Sequence, residues 1–220
     1  MPNYRYSNYR CCYNKLPKSL NLMKSKNLLP VFIFIISISI SYGCVGMSTQ
    51  SPADKTTRLT EKQEKLIEEG WYIPQTNLSG ELPSEYGVKP KYGQHDNYFD
   101  IEIGNGYDVA IKIVEATTDK CIRYVLVPEN SSVNIQMIPQ GLYYLKLAYG
   151  KDWMEQHTDS IVLGKFTKSV FYERSTNIYD FGKKNSQSIV NYRLEINIVN
   201  GEAENNFYTE QISEEEFGKN

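Results

Sequence analysis

The chain has 220 residues, 24 Lys and Arg against 26 Asp and Glu, and 13% aromatic residues. All acidic residues lie after Cys44, while six basic ones (Arg5, Arg10, Lys15, Lys18, Lys24 and Lys26) lie before it, so the 177 residues from Cys44 onward carry −8. That balance excludes an electrostatic footprint for phosphate backbones, and nucleic acid is not an expected partner.

Residues 1–22 show no apolar periodicity and precede what reads as a complete export signal. Met23-Lys24-Ser25-Lys26 is the better start, so residues 1–22 read as an upstream extension of the gene model. Cys11 and Cys12 then fall outside the mature protein. Lys24 and Lys26 supply a basic region, Leu28–Ile40 an apolar core, and Ser41-Tyr42-Gly43-Cys44 a closing segment. Two alternatives stay open. One is an uncleaved helix of about 20 residues, since no charge falls between Lys26 and Asp54. The other is a signal peptide cut without lipid. The segment resembles the lipobox of bacterial lipoproteins, in which Gly or Ala precedes an acylated Cys; Ser41 stands where that family usually has Leu. The resemblance implies a signal peptide over 23–43 and acylation of Cys44. Membrane lipid is then the first partner, and the domain is held at the cell envelope, facing the periplasm or the cell surface. Two or three acyl chains hold firmly because each buried CH₂ contributes about 0.8 kcal/mol. Val45 is not the Asp of the inner-membrane retention signal, which points to the outer membrane.

Residues 44–57 read as a polar tether. Thr60–Glu69 predicts a short helix, with Thr60 and Gln63 as a capping box and Gly70 just past its end. Together with the Pro-, Gly- and Tyr-rich stretch to Asn97, this makes an irregular leader over 58–97. Alternating apolar residues then predict strands at Tyr98–Ile103, Tyr107–Glu115, Cys121–Val127, Ser132–Ile138 and Leu142–Tyr149. Weaker strands are expected at Ser160–Leu163, Phe166–Glu173 and Asn177–Phe181. A clear one follows at Ile189–Val199 and a short one near Phe207–Ile212. In Leu142–Tyr149 the residues Tyr143, Leu145, Leu147 and Tyr149 face inward, and Tyr144 and Lys146 outward. Short strands without long helices predict a mainly β fold, an antiparallel β-sandwich over 98–212, with a turn at Ser213–Phe217 and a tail over 213–220.

Ile138-Pro139-x-Gly141-x-Tyr143-x-Leu145 resembles the turn-and-strand hairpin of transthyretin-like and CnaB-type (carboxypeptidase-regulatory-like) sandwich domains. Asp108–Trp153 as a whole is similar to uncharacterised bacterial surface lipoproteins. The resemblance implies a fold and an extracytoplasmic setting, and no activity. CnaB domains often carry a Lys–Asn isopeptide bond, whose partners the sequence does not place.

No catalytic signature is present, so the domain reads as non-enzymatic, with no catalytic residue, no metal ligand set and no cofactor expected. His95 and His157 are far apart and lack metal spacing; His157 with Asp159 offers an acid–base pairing, but the two read as an exposed polar loop. Asp96, Asp100 and Glu102 read as a solvated face. Glu214-Glu215-Glu216 reads as a solvated run. Cys121 reads as a small buried hydrophobe. Trp153 and Tyr144 are the candidate binding residues, with Trp71, Tyr72, Tyr86, Tyr92 and Tyr98 as further ring faces. Trp153 is expected in a loop after Gly150-Lys151-Asp152, either folded back over the domain or presented to solvent. The expected role is binding or structural support towards a protein or glycan partner, with an envelope hydrolase or a single-pass membrane protein as the alternative.

Overall fold

A computed structural model describes residues 59–75, 78–183, 187, 189–199 and 201–220. Cys44, the export segment and the whole of the tether lie outside the described residues. Among the described residues no helix is long and apolar enough to cross a membrane.

Helix α1 (Glu61–Glu68) starts and stops where its end residues require. Thr60 accepts from the Gln63 N–H while the Gln63 side chain accepts from the Thr60 N–H at 2.8 Å, a complete capping box. At the other end Trp71 N–H donates to Leu66 O at 2.9 Å and Gly70 N–H to Ile67 O at 3.0 Å, with Gly70 at φ +88°. That is the Schellman arrangement, and its left-handed position suits Gly.

The strands are β1 (Gly80–Glu81), β2 (Tyr98–Ile103), β3 (Asp108–Glu115), β4 (Lys120–Val127), β5 (Ser131–Gln136), β6 (Leu142–His157), β7 (Val162–Ser175), β8 (Tyr179–Asp180), β9 (Tyr192–Ile196), β10 (Ile198–Val199), β11 (Glu202–Ala203) and β12 (Thr209–Gln211). A five-residue helix, α2 (Glu214–Gly218), stands in place of the expected terminal turn. The larger sheet runs β1-β4-β3-β6-β7-β12, all antiparallel, with β8 on the start of β6. A smaller sheet runs β5-β2-β9, and β10 pairs with β11. The protein is therefore mainly β with antiparallel sheets. One ladder departs from the expectation: β2 and β9 are parallel, Phe99 opposite Tyr192 through Ile103 opposite Ile196.

The two sheets share one apolar core. Ile111, Leu145 and Leu147 of the larger sheet meet Phe99, Ile101 and Leu194 of the smaller one. The larger sheet buries its outer face as well. Leu82, Tyr86 and Val88 of the leader and Phe217 of α2 cover Ala110, Tyr124, Ala148, Trp153 and Phe166. Arg123, fully buried on β4, fastens the leader there. It donates to Lys91 O, sits 3.4 Å from Glu81 Oε2, and stacks 3.9 Å from the centre of the Tyr92 ring.

This second core overturns one sequence expectation. Lys146 faces away from the first core as predicted, but it is buried, because α2 lies over it and takes its ammonium: Lys146 Nζ donates to Glu216 O at 2.7 Å and Lys219 O at 3.2 Å. The strand ends also shift. β6 does not stop at Tyr149 but runs on to His157, and Ser160–Leu163 is not a separate strand. Thr158 N–H donates to Ile161 O at 2.9 Å, closing the β6–β7 hairpin, and β7 then starts at Val162. The register slips at Tyr149–Lys151, where Asp152 and Ser169 take φ of 57° and 53°. A bulge, rather than a loop, absorbs Gly150-Lys151-Asp152.

Candidate functional site

The far half of the β6–β7 hairpin and the leader that crosses it gather most of the chemistry on the molecule. Trp153 lies on β6 within the sheet, opposite Phe166 of β7, and not in a loop. It is 9% exposed and meets Phe166 edge-on at 4.9 Å. Its indole N–H donates to Glu155 Oε1 at 3.1 Å.

Two residues on, at the same face of β6, Glu155 is only 4% exposed. Tyr72 and Glu155 pair through both backbone bonds, at 2.8 and 2.9 Å, and this fixes the leader on the strand edge. The Tyr72 hydroxyl donates to Glu155 Oε2 at 3.1 Å and touches His157 Nε2. The Tyr86 hydroxyl donates to Glu155 Oε1. A buried carboxylate thus receives two phenols and an indole, which is how a buried charge is kept. Burial first, and then the Glu155 carboxylate, push the hydroxyls of Tyr86 and Tyr72 above the ordinary tyrosine range.

His157 is largely exposed, with its Nε2 4.0 Å from Glu155 Oε2 and its ring edge-on to Tyr72 at 5.2 Å. The structure therefore joins His157 to Glu155 and Tyr72. Asp159 lies in the exposed hairpin turn, as a polar loop residue would, and does not join the cluster. Alternation puts residues i and i+2 on one face of a strand, so Trp153, Glu155 and His157 form a line. That signal was present in the sequence, hidden by reading the stretch as a loop. Tyr72, 83 residues from Glu155 in sequence, had no comparable signal.

Two spaces flank the cluster. Tyr72, Pro74, Leu78, Pro83, Tyr86 and His157 border an open groove of about 430 Å³. On the other side of Tyr86 lies a cavity of about 320 Å³ walled by Trp71, Trp153, Phe166, Tyr124 and Phe217, with Lys112 among its lining residues. Lys165 holds its ammonium 4.2 Å from the centre of the Trp71 ring at this cavity.

The remaining sequence candidates lie elsewhere. Tyr144 is half-buried on β6 and donates to Asp119 Oδ1 at 3.1 Å; burial and Asp119 push its hydroxyl up to about 12. Cys121 is partly buried, its thiol 3.1 Å from Arg123 O, and burial pushes it up to about 11, away from thiolate chemistry. His95 is half-buried and outside the cluster. Among the described residues no three His, Cys, Asp or Glu side chains are grouped to hold a metal ion.

The fold and site define a mainly β protein whose leader is tied to an antiparallel sheet by a buried carboxylate beside an aromatic groove. No protein-family model, curated protein or solved structure matches the chain.

Proposed function

We propose that the protein is a lipid-anchored, non-catalytic binding module of the cell envelope. Its β-sandwich is of the transthyretin-like kind, and it presents the groove beside Glu155 to a protein or glycan partner. The observation that carries this reading is the state of the cluster bordering the groove. Glu155 is saturated by Tyr72, Tyr86 and Trp153 and stiffens the wall, while the rings of Tyr72 and His157 stay accessible at its edge. Rigid, partly exposed aromatic rings give contact area at low entropic cost. The −8 charge of the chain from Cys44 agrees with a partner other than nucleic acid.

A second reading, an envelope hydrolase, is favoured by one contact: Tyr72 and Glu155 both address His157 Nε2. The two readings separate on glycan and peptide arrays probed with the full chain. A binding module retains a discrete set of ligands, and Tyr72→Ala abolishes retention while the variant still unfolds in one cooperative transition. Turnover of an arrayed ester or glycoside that stops in His157→Ala establishes the hydrolase instead. For the anchor, labelled palmitate should mark the wild type and not Cys44→Ser. A wild type that takes no label removes the lipid from the proposal.

A further inference from the structure

Lys112 stands in the middle of the outer face of the larger sheet, 4% exposed, with the ring centres of Tyr124 and Phe217 at 5.1 and 4.9 Å from its ammonium. Directly opposite it on β6 is Lys146, equally buried. Among the described residues neither lysine forms an ion pair. Lys112 donates to Phe217 O at 2.9 Å, Gly218 O at 3.5 Å and Asn220 Oδ1 at 2.5 Å. Lys146 donates to Glu216 O and Lys219 O. These acceptors satisfy hydrogen bonds, but they are dipoles and supply no net negative charge. Like charges directly opposite on adjacent strands repel. Buried cations without counter-ions are among the costliest arrangements in a protein. Glu214, the one carboxylate among the described residues bordering the cavity, is engaged by the Tyr172 hydroxyl; Glu216 and Asp119 act on Lys146 and partly offset its charge, and no carboxylate does so for Lys112.

The cavity therefore combines an aromatic wall with an excess of positive charge: Lys112 among its lining residues, Lys146 beside it and Lys165 over Trp71. Its volume, about 320 Å³, is that of a small-molecule site. We infer that this cavity binds an amphipathic monoanion, an aromatic or acyl body seated among the rings with its carboxylate or sulfonate placed against Lys112 in place of Gly218 O, whose 3.5 Å contact is the weakest of the three that use the ammonium donors. The site lies across Tyr86 from the groove and is independent of the partner assigned to that groove.

Two fluorescent probes of nearly the same shape test the assignment on the intact protein. Anilinonaphthalene sulfonate carries the anion, and N-phenylnaphthylamine is its neutral counterpart. The wild type should bind both saturably at one site. Lys112→Met should weaken the sulfonate roughly tenfold or more while leaving the neutral probe within about twofold, since a charge-assisted hydrogen bond is lost and the apolar contact kept. Retained binding of the neutral probe shows that the cavity survives the substitution. Should that variant fail to fold, the wild type decides. Lys112 loses its proton from about pH 8 when the cavity is empty, so sulfonate affinity should fall between about pH 8 and about pH 10 while the neutral probe is unaffected. Lys146, also held below the ordinary lysine range by burial, acts in the same direction; Cys121, near 11, and Tyr172, near 12, titrate mostly above the window. An absence of saturable sulfonate binding, equal losses for both probes in Lys112→Met, or a flat pH profile overturns the inference.

Discussion

Gly164 and Trp153 occupy one space: a Cβ built on Gly164 would sit 2.1 Å from Cζ2 of the indole. The two residues are on neighbouring strands, and the indole fills the space beside Gly164 while its N–H donates to Glu155. Gly164→Ala must push the indole off that contact, and overpacking of this kind costs about 1–3 kcal/mol. Trp153→Ala should cost about 3–5 kcal/mol by opening a cavity in the second core. Urea unfolding of both variants measures the two effects. With Trp71 replaced by Phe, the remaining indole should emit blue-shifted light resistant to quenchers. Red-shifted, readily quenched emission would show that Trp153 faces solvent.

Glu155 gives a sharper comparison because its substitutions separate charge from shape. Glu155→Leu removes the acceptor for Tyr86 and Trp153 and leaves two buried donors unpaired, each at about 1–3 kcal/mol. Glu155→Gln keeps one carbonyl acceptor and should lose about half as much. The leader should come loose first, so trypsin should cut after Lys91 faster in Glu155→Leu than in the wild type. Equal stability of the leucine and glutamine variants would mean that Glu155 does not hold the leader.

How far the sequence could be read depended on how each segment ends and what covers it. β2 to β5 lie within two residues of their expected bounds, because Gly104-Asn105-Gly106, Thr117–Lys120, Pro128–Ser131 and Pro139–Gly141 each stop a strand by turn chemistry. Gly150 carried a different meaning. A Cβ there would sit 2.4 Å from Phe166 Cβ, so the glycine marks a close approach inside the hairpin rather than its end. The outer face was misread for a physical reason. Lys112, Tyr144 and Lys146 have the polarity of a solvent-facing row, but lysine stems are apolar, and the cover comes from a leader and a helix distant in sequence. The parallel pairing of β2 with β9 has no local signature at all, since both strands alternate as antiparallel edge strands would.

Arg123, on the face of β4 that it shares with Ile113, tests how the leader is fastened to that strand. Its guanidinium, fully buried, reaches Lys91 O and Met137 O and neighbours Glu81, thereby holding the leader against β4 and β5. Arg123→Met keeps much of the volume but takes the donor from those carbonyls; Glu81 is exposed and keeps the Tyr92 hydroxyl. Leaving a buried acceptor without its donor costs about 1–3 kcal/mol. Arg123→Lys should recover only part of this, because one ammonium cannot span the same acceptors. Thermal melts of the two variants give the order. A lysine variant as stable as the wild type would reduce Arg123 to a generic buried cation.

The buried lysine on β3 also sets the pH dependence of stability, and its sign is opposite to that of a salt-bridged group. Burial is the largest cause lowering Lys112 from its ordinary 10.5 to about 8, with Lys146 adding to it. Between those values the unfolded chain holds a proton that the folded chain has lost. Unfolding then takes up a proton, and stability rises with pH by at most about 1.4 kcal/mol per unit. Cys121 and Tyr172 work the other way. Burial raises them from 9.0 to about 11 and from 10.0 to about 12, so the folded chain keeps protons that the unfolded one releases from about pH 9 upward. Stability measured by urea unfolding should therefore climb from about pH 8, pass a maximum near about pH 9, and fall beyond it. Lys112→Met should remove the climb and keep the fall, and it should be more stable than the wild type at about pH 7, where the wild type carries the uncompensated charge. A variant that retains the climb would place its origin in another group, with Lys146 the first to replace.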